Sequence, residues 1–322
     1  MKSFFHKYWL PTLIIFVLVT GISIGATALL LSREDNHSEA SDNTTETEGN
    51  EEEATNPEPE VPPVPSFINL QSTVDTWLSS LPSNADVGLM VYDLDNEQVA
   101  AAYQPNKVFN AASIYKLFFV YDGYRQIASG TESADEFFVR ASDYDQFHSG
   151  AALSFGDCLD LMIRESYNTC ADPMRSDSAR FARAEALAAE LGLQNTSSAG
   201  LYSSAADLTE LLKLYYSHPD LSEELWAKIQ DSMLNQPKTV YNWRQGLPTG
   251  FTNPSVKVYD KVGWNRVDGS YWDPYDDAAI VEFTEQNRHY IVVVMTRFLP
   301  NVAPLINLGQ AIEATILGAV VL

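Results

Sequence analysis

The chain has 322 residues and a formal net charge of −23, from 43 acidic against 20 basic residues. Nucleic-acid partners demand basic patches, so this balance excludes them, and it predicts repulsion from anionic lipids and polymers. The histidines, among them His148, His218 and His289, have no ligand spacing, and no phosphate-binding glycine loop is present, so neither a metal nor a cofactor is indicated.

Trp9 to Leu31 is apolar without one charge and long enough to cross a bilayer as a helix. Lys2, His6 and Lys7 precede it and Arg33-Glu34-Asp35 follow, which puts residues 1–8 in the cytoplasm and makes 9–31 the signal-anchor of a single-pass membrane protein. A cleaved signal peptide is the alternative, because Ala26-Thr27-Ala28 has the small-x-small form of a cleavage site. Leu29-Leu30-Leu31 carry the apolar run past that point, which favours the uncleaved anchor. Residues 32–66 are acidic and Pro-rich with few aliphatic side chains, too poor in apolar surface to offset the entropy of ordering, so they read as a disordered tether. Pro57 to Pro65 stiffens its end into an extended spacer. Residues 67–322 then suffice for one sizeable extracytoplasmic domain, read as monomeric.

Within it, Phe67 to Leu81 has the helical spacing of Leu70, Val74, Trp77 and Leu78. Asp86 to Tyr92 and Gln98 to Tyr103 read as a hairpin about Asp93-Leu94-Asp95-Asn96-Glu97. A helix near Ala112 to Ile127 is apolar nearly all round and therefore central. A mostly helical stretch, about 129–235, includes Phe155–Glu165, Ser176–Leu191 and Ala205–Tyr216, the last capped by Ser203-Ser204. Strands return at Val256–Trp264, Ala278–Thr284 and Tyr290–Phe298, and a helix from Val302 to Leu317 closes the chain. Strands at both ends with helices between predict an α+β domain: a mostly antiparallel sheet flanked by terminal helices, plus an inserted all-helical lobe and a cleft between them. The acids of Asp268 to Asp277 lack the order of a calcium loop and read as a solvated connection between strands. Trp264, Tyr271, Trp272 and Tyr275 are candidates either to line the cleft or to pack in its rim.

Cys158 and Cys170 flank the end of the helix at 155–165. Outside the membrane thiols tend to oxidise, so a disulfide bracing the loop around Ser166 is expected, with two buried small residues as the alternative.

Ser113-Ile114-Tyr115-Lys116 opens the central helix. Residues three apart share a helix face, so Lys116 can approach the Ser113 hydroxyl, and a lysine held in a dry cleft loses its charge readily and can take the serine's proton. Ser166-Tyr167-Asn168 follows some fifty residues later, directly after a helix, and Lys261-Val262-Gly263 ends a strand. Together the three patterns resemble, in order, spacing and element type, the S-x-x-K, S-D-N and K-T-G set of class A β-lactamases and penicillin-binding proteins, over roughly residues 67–318.

The resemblance implies a serine acyl-hydrolase acting on β-lactams or peptidoglycan stem peptides, with the β-lactamase/transpeptidase-like fold. It implies Ser113 as nucleophile, Lys116 as its base, and Ser166 as the relay to the leaving amine. Asn168 binds the substrate amide, Lys261 attracts a substrate carboxylate, and an oxyanion hole forms from the backbone amides of Ser113 and Trp264, with Gly263 permitting close approach. Three departures qualify it. Tyr167 replaces the aspartate that orders the middle loop. Val262 replaces a threonine whose hydroxyl would bind the carboxylate, a loss of about 1.5–3 kcal/mol. The segment between Leu193 and Ala205 lacks the E-x-x-L-N glutamate that activates the deacylating water, and Glu190 and Asp207 beside it read as solvent-facing, so acyl release is expected to be slow. The alternative reading is a non-catalytic protein of the same fold that binds peptidoglycan peptides.

Overall fold

The computed structural model describes residues 65–146, 148–234, 246–267 and 271–320. The expected anchor and nearly all of the tether lie outside the described residues, and among the described residues no helix is long and apolar enough to cross a membrane. After helix α1 (Gln71–Ser79), strands β1 (Asp86–Asp93) and β2 (Gln98–Tyr103) form the predicted hairpin. Its turn is held by the Asp93 carboxylate, which accepts the amides of Asp95 and Asn96 at 3.0 Å each. The helix predicted from Phe67 begins only at Gln71, because the chain before it is tied elsewhere. The Leu70 amide donates to Ala100 of β2, and Asn69 Oδ1 accepts the Gln71 amide.

Next come β3 (Phe109–Asn110), a 3-10 turn (Ala112–Tyr115) and α2 (Lys116–Ala128). The lobe follows: β4 (Phe137–Arg140), β5 (Ala152–Ser154), α3 (Phe155–Arg164), α4 (Asn168–Ser176), α5 (Ser178–Glu190), β6 (Tyr202–Ser203), α6 (Ala205–Ser217) and α7 (Glu223–Leu234). The lobe is mainly helical, with β4 and β5 paired in a small sheet of their own and β6 paired to β3. Sequence reasoning missed α4, whose polar composition and internal Pro173 hide the helical pattern. The last part is α8 (Leu247–Gly250), β7 (Val256–Val267), β8 (Tyr271–Phe283), β9 (Arg288–Arg297) and α9 (Ala303–Val320).

The main sheet runs β2-β1-β9-β8-β7, antiparallel at each pairing. Alternation sorts its side chains into two cores. On one face Val91, Val292, Val294 and Val281 pack beneath α1 and α9; on the other, Ile280, Ile291 and Val293 meet the central helix and the lobe. Helix α2 is buried continuously from Lys116 to Tyr124, as its apolar run requires.

Strand β8 begins at Tyr271, seven residues before the predicted Ala278. Asp276 and Asp277 are therefore not in a solvated connection. Both are fully buried, and burial pushes both carboxyls well above the usual range. Asp276 accepts the Thr296 amide at 2.6 Å and Asp277 the Leu247 amide at 3.2 Å. Those bonds come from β9 and α8, distant segments that local sequence cannot reveal.

Cys158 of α3 and Cys170 of α4 are bonded to each other across a separation of 12 residues. Both are fully buried, so the bridge clips the two helices that flank the Ser166 loop. Reducing it should lower stability by about 3 kcal/mol, the scale for a closed loop of this length. Chemical denaturation with and without reductant measures this; an unchanged midpoint would refute the bracing role.

Candidate active site

Ser113 lies inside the 3-10 turn, not at the cap of a helix, and Lys116 is the first residue of α2. The predicted proximity survives for a different reason: in a 3-10 turn side chains at i and i+3 eclipse. Lys116 Nζ is 3.1 Å from Ser113 Oγ. The turn is entered through Ala112, whose φ of 42° is left-handed, a conformation that costs a non-glycine residue energy and persists only where its surroundings impose it. Here the Ala112 amide is held by Asn110 Oδ1 at 2.9 Å, and the Ala111 amide donates to Leu201 at 2.8 Å.

Lys116 is fully buried, yet its nitrogen has further acceptors in Ser166 Oγ at 3.1 Å, the Ser166 carbonyl, and Asn168 Oδ1 at 2.7 Å. Burial holds its pKa well below the ordinary value, and the neighbouring Lys261 ammonium lowers it further. The amine is thus poised to exist neutral and to accept a proton. Lys261 approaches from the other side, its Nζ 3.0 Å from Ser166 Oγ and 2.9 Å from the Val262 carbonyl. Burial brings Lys261 down to about 7, against the opposing pull of Asp260 and Asp277. The Ser166 hydroxyl thus bridges two lysine nitrogens. Its residue also sits at a left-handed φ of 56°, between the end of α3 and the start of α4.

Asn168 is exposed at the start of α4. With Oδ1 turned to Lys116, its Nδ2 is left to donate to a ligand. Tyr167 replaces the expected aspartate by a longer tie: its hydroxyl donates to Asp145 Oδ2 at 2.6 Å and its ring lies against His148, 5.0 Å between centroids. His148 is in turn bonded to Glu165 at 2.7 Å. Sequence reasoning missed Asp145, His148 and Glu165 here, since the loop they fasten is distant in the chain and irregular.

Strand β7 closes the sheet on this side, and Gly263 is where it meets the nucleophile turn. A β-carbon there would fall 2.8 Å from Ile114 Cγ1 and closer still to the Ala111 carbonyl. The glycine therefore serves first the approach of strand to turn. Alternation turns Val262 and Trp264 into the core beneath α1 and α9, and Lys261 toward Ser166. The Val262 side chain, 1% exposed, accordingly offers nothing to a ligand. The Trp264 indole packs edge-on against Tyr275, 5.3 Å between centroids, so both rings belong to the core. The side chains of Tyr271 and Trp272 lie outside the described residues.

The segment from Gln194 to Ser204 contains no carboxylate and is pinned by two from outside it. Asp207, expected to face solvent, is buried, because it accepts the Asn195 amide at 2.7 Å and the Thr196 hydroxyl at 2.8 Å. Glu185 accepts the Ala199 amide. Glu190 is exposed as expected and pairs with Arg125 at 3.1 Å. Ser198, Ala199 and Gly200 are all left-handed, a tight curl that brings Gly200 against the Phe118 ring.

Residues 69–316 match the model of a family described as a beta-lactamase enzyme family. No curated protein matches the chain. Among solved structures, a class A beta-lactamase from Bacteroides cellulosilyticus is similar at 16% identity, over 78% of this chain and 99% of that one, with a TM-score of 0.64. A beta-lactamase from Chitinophaga pinensis is similar at 17% identity, over 77% and 98%, with a TM-score of 0.64. A variant of PBP-A, solved as an acyl-enzyme complex with penicillin G, is similar at 18% identity, over 77% and 96%, with a TM-score of 0.62. At these identities the likeness is one of fold.

Proposed function

The chain belongs to the beta-lactamase enzyme family, and from that premise we propose that it is a membrane-tethered serine hydrolase that forms an acyl-enzyme on Ser113 with β-lactams or cell-wall stem peptides. The observation that carries this reading is the buried Lys116 amine, in contact with both Ser113 Oγ and Ser166 Oγ. Neutral Lys116 takes the Ser113 proton as the oxygen attacks the carbonyl carbon. The developing oxyanion is received by the backbone amides of Ser113 and Trp264. Ser166, bonded to both lysines, passes the proton to the departing nitrogen, which leaves as the amine. Asn168 Nδ2 holds the substrate amide, and protonated Lys261 attracts its carboxylate. Support for a penicillin as probe comes from PBP-A, whose variant of this fold is captured as a penicillin G acyl-enzyme.

The proposed tether would lead into residues 65 and 66, which are fastened to the sheet. The Pro65 carbonyl accepts from Asn96 and the Ser66 carbonyl from Arg288. Both sit at the sheet end marked by the Asp93–Tyr290 pair, several residues along the strands from the Gly263–Asp276 pair.

Lys261 sets a pH dependence. Its folded pKa of about 7 means the ammonium is present below that value and lost as pH rises through it. Acylation by a carboxylate-bearing penicillin should therefore fall above pH 7, while its methyl ester, which needs no counter-charge, should show no such fall. Acylation rate constants for the two compounds across this range measure the effect; parallel profiles would remove Lys261 from carboxylate binding.

Intact-protein mass spectrometry after incubation with benzylpenicillin tests the function itself. A one-to-one adduct is expected. Its absence, together with absence of an adduct from an ester analogue of a stem peptide, would leave the chain a non-catalytic member of the family.

A further inference from the structure

Helix α4 presents Asn168, Asp172 and Arg175 at i, i+4 and i+7, positions that share one helical face. Both ends of this stripe touch the nucleophile element. Asn168 Oδ1 is 2.7 Å from Lys116 Nζ, and the Arg175 guanidinium is 5.5 Å from the centre of the Tyr115 ring. Asp172 lies between them on that face and is exposed. Its charge acts on both neighbours, opposing the loss of the Lys116 proton and helping burial push the Tyr115 phenol up to about 12.

Other carboxylates on this side hold loops in place. Glu185 accepts the Ala199 amide, Asp207 the Asn195 amide and Thr196 hydroxyl, and Asp145 the Tyr167 hydroxyl. Each of those bonds uses a side-chain oxygen to fix backbone or ring. Asp172 fastens no such loop, and the segment that would carry a base in related enzymes is short and free of acids.

Resting on the acyl-enzyme reading, we propose that Asp172 is the base of acyl release, taking a proton from the water that attacks the acyl carbonyl on Ser113. As the water oxygen bonds to the carbonyl carbon, its proton passes to the Asp172 carboxylate. The tetrahedral intermediate then collapses, the bond between that carbon and Ser113 Oγ breaks, and the proton held by Asp172 moves through Lys116 to Ser113 Oγ. One water is consumed, one carboxylic acid leaves, and Asp172, Lys116 and the Ser113 hydroxyl are restored.

The test compares wild type with Asp172→Asn, loaded with benzylpenicillin and followed by intact mass. Acylation and loss of the adduct are timed separately. General-base assistance is worth roughly 10²–10⁴-fold. The variant should therefore hold its adduct about 10²-fold longer or more while the acylation step slows far less. Asp172→Glu, which keeps the charge, should restore part of the release. Unchanged release in Asp172→Asn, or equal slowing of both steps, overturns the proposal and leaves the acyl-enzyme reading standing. A wild type that takes up neither benzylpenicillin nor an ester probe refutes that reading and this proposal with it.

Discussion

A Ser113→Ala chain is expected to take up no penicillin at all while remaining folded. The hydroxyl is the proposed attacking group, so its loss removes the covalent step outright. The fold should tolerate the change because Ser113 caps no helix and its oxygen is one of several acceptors around Lys116. The Ser166 carbonyl, Ser166 Oγ and Asn168 Oδ1 still surround the buried nitrogen. The stability cost should stay at or below the net worth of one hydrogen bond, about 0.5–1.5 kcal/mol. Mass spectrometry of the adduct and a thermal melt decide it together. An adduct on the variant would mean that another side chain is acylated, and a collapsed melt would mean that the hydroxyl is a structural part of the turn.

Gly263→Ala should damage both stability and acylation. The added methyl would lie within 2.8 Å of Ile114 Cγ1 and closer to the Ala111 carbonyl. One of these contacts is backbone, so a rotamer change cannot relieve it, and either β7 or the nucleophile turn must move. Overpacking of this kind costs about 1–3 kcal/mol. A shift of about 1 Å in a reacting group is enough to lose on the order of 10²-fold in rate. Both losses should appear in one variant, the first by denaturant titration and the second by the acylation rate. Wild-type acylation from a destabilised Gly263→Ala protein would separate the packing role of this glycine from the position of Ser113.

Legibility differed from element to element. The hairpin at 86–103, the helices at 155–164 and 205–217, and the closing helix were readable because each carries its own period or cap. Strand β8 reads too short in the sequence because Asp276 and Asp277 look like loop residues, and the amides that donate to them in the interior belong to β9 and α8. Helix α4 was invisible for the opposite reason: its pattern is polar and interrupted by Pro173, and the disulfide and its buried face hold it. Missing that helix also hid Asp172, whose relation to Asn168 is a helical spacing.

By itself the sequence determined the family pattern, the strands of the main sheet and the well-capped or periodic helices, and named Ser113, Lys116, Ser166, Asn168 and Lys261 as a set. These are carried by short local motifs, and local motifs survive in one dimension. Tertiary structure alone decided that Ser113 sits in a 3-10 turn, that the Ser166 hydroxyl lies between two buried lysine nitrogens, and that Val262 faces the core. It also decided that Asp207 and Glu185 fasten loops whereas Asp172 is exposed on the same helical face as Asn168. The reason is physical: burial, electrostatic field and the choice of hydrogen-bond partner depend on groups far apart in the chain. The pKa that makes a lysine a base comes from desolvation and from a second lysine across the cleft, and no local spacing encodes either.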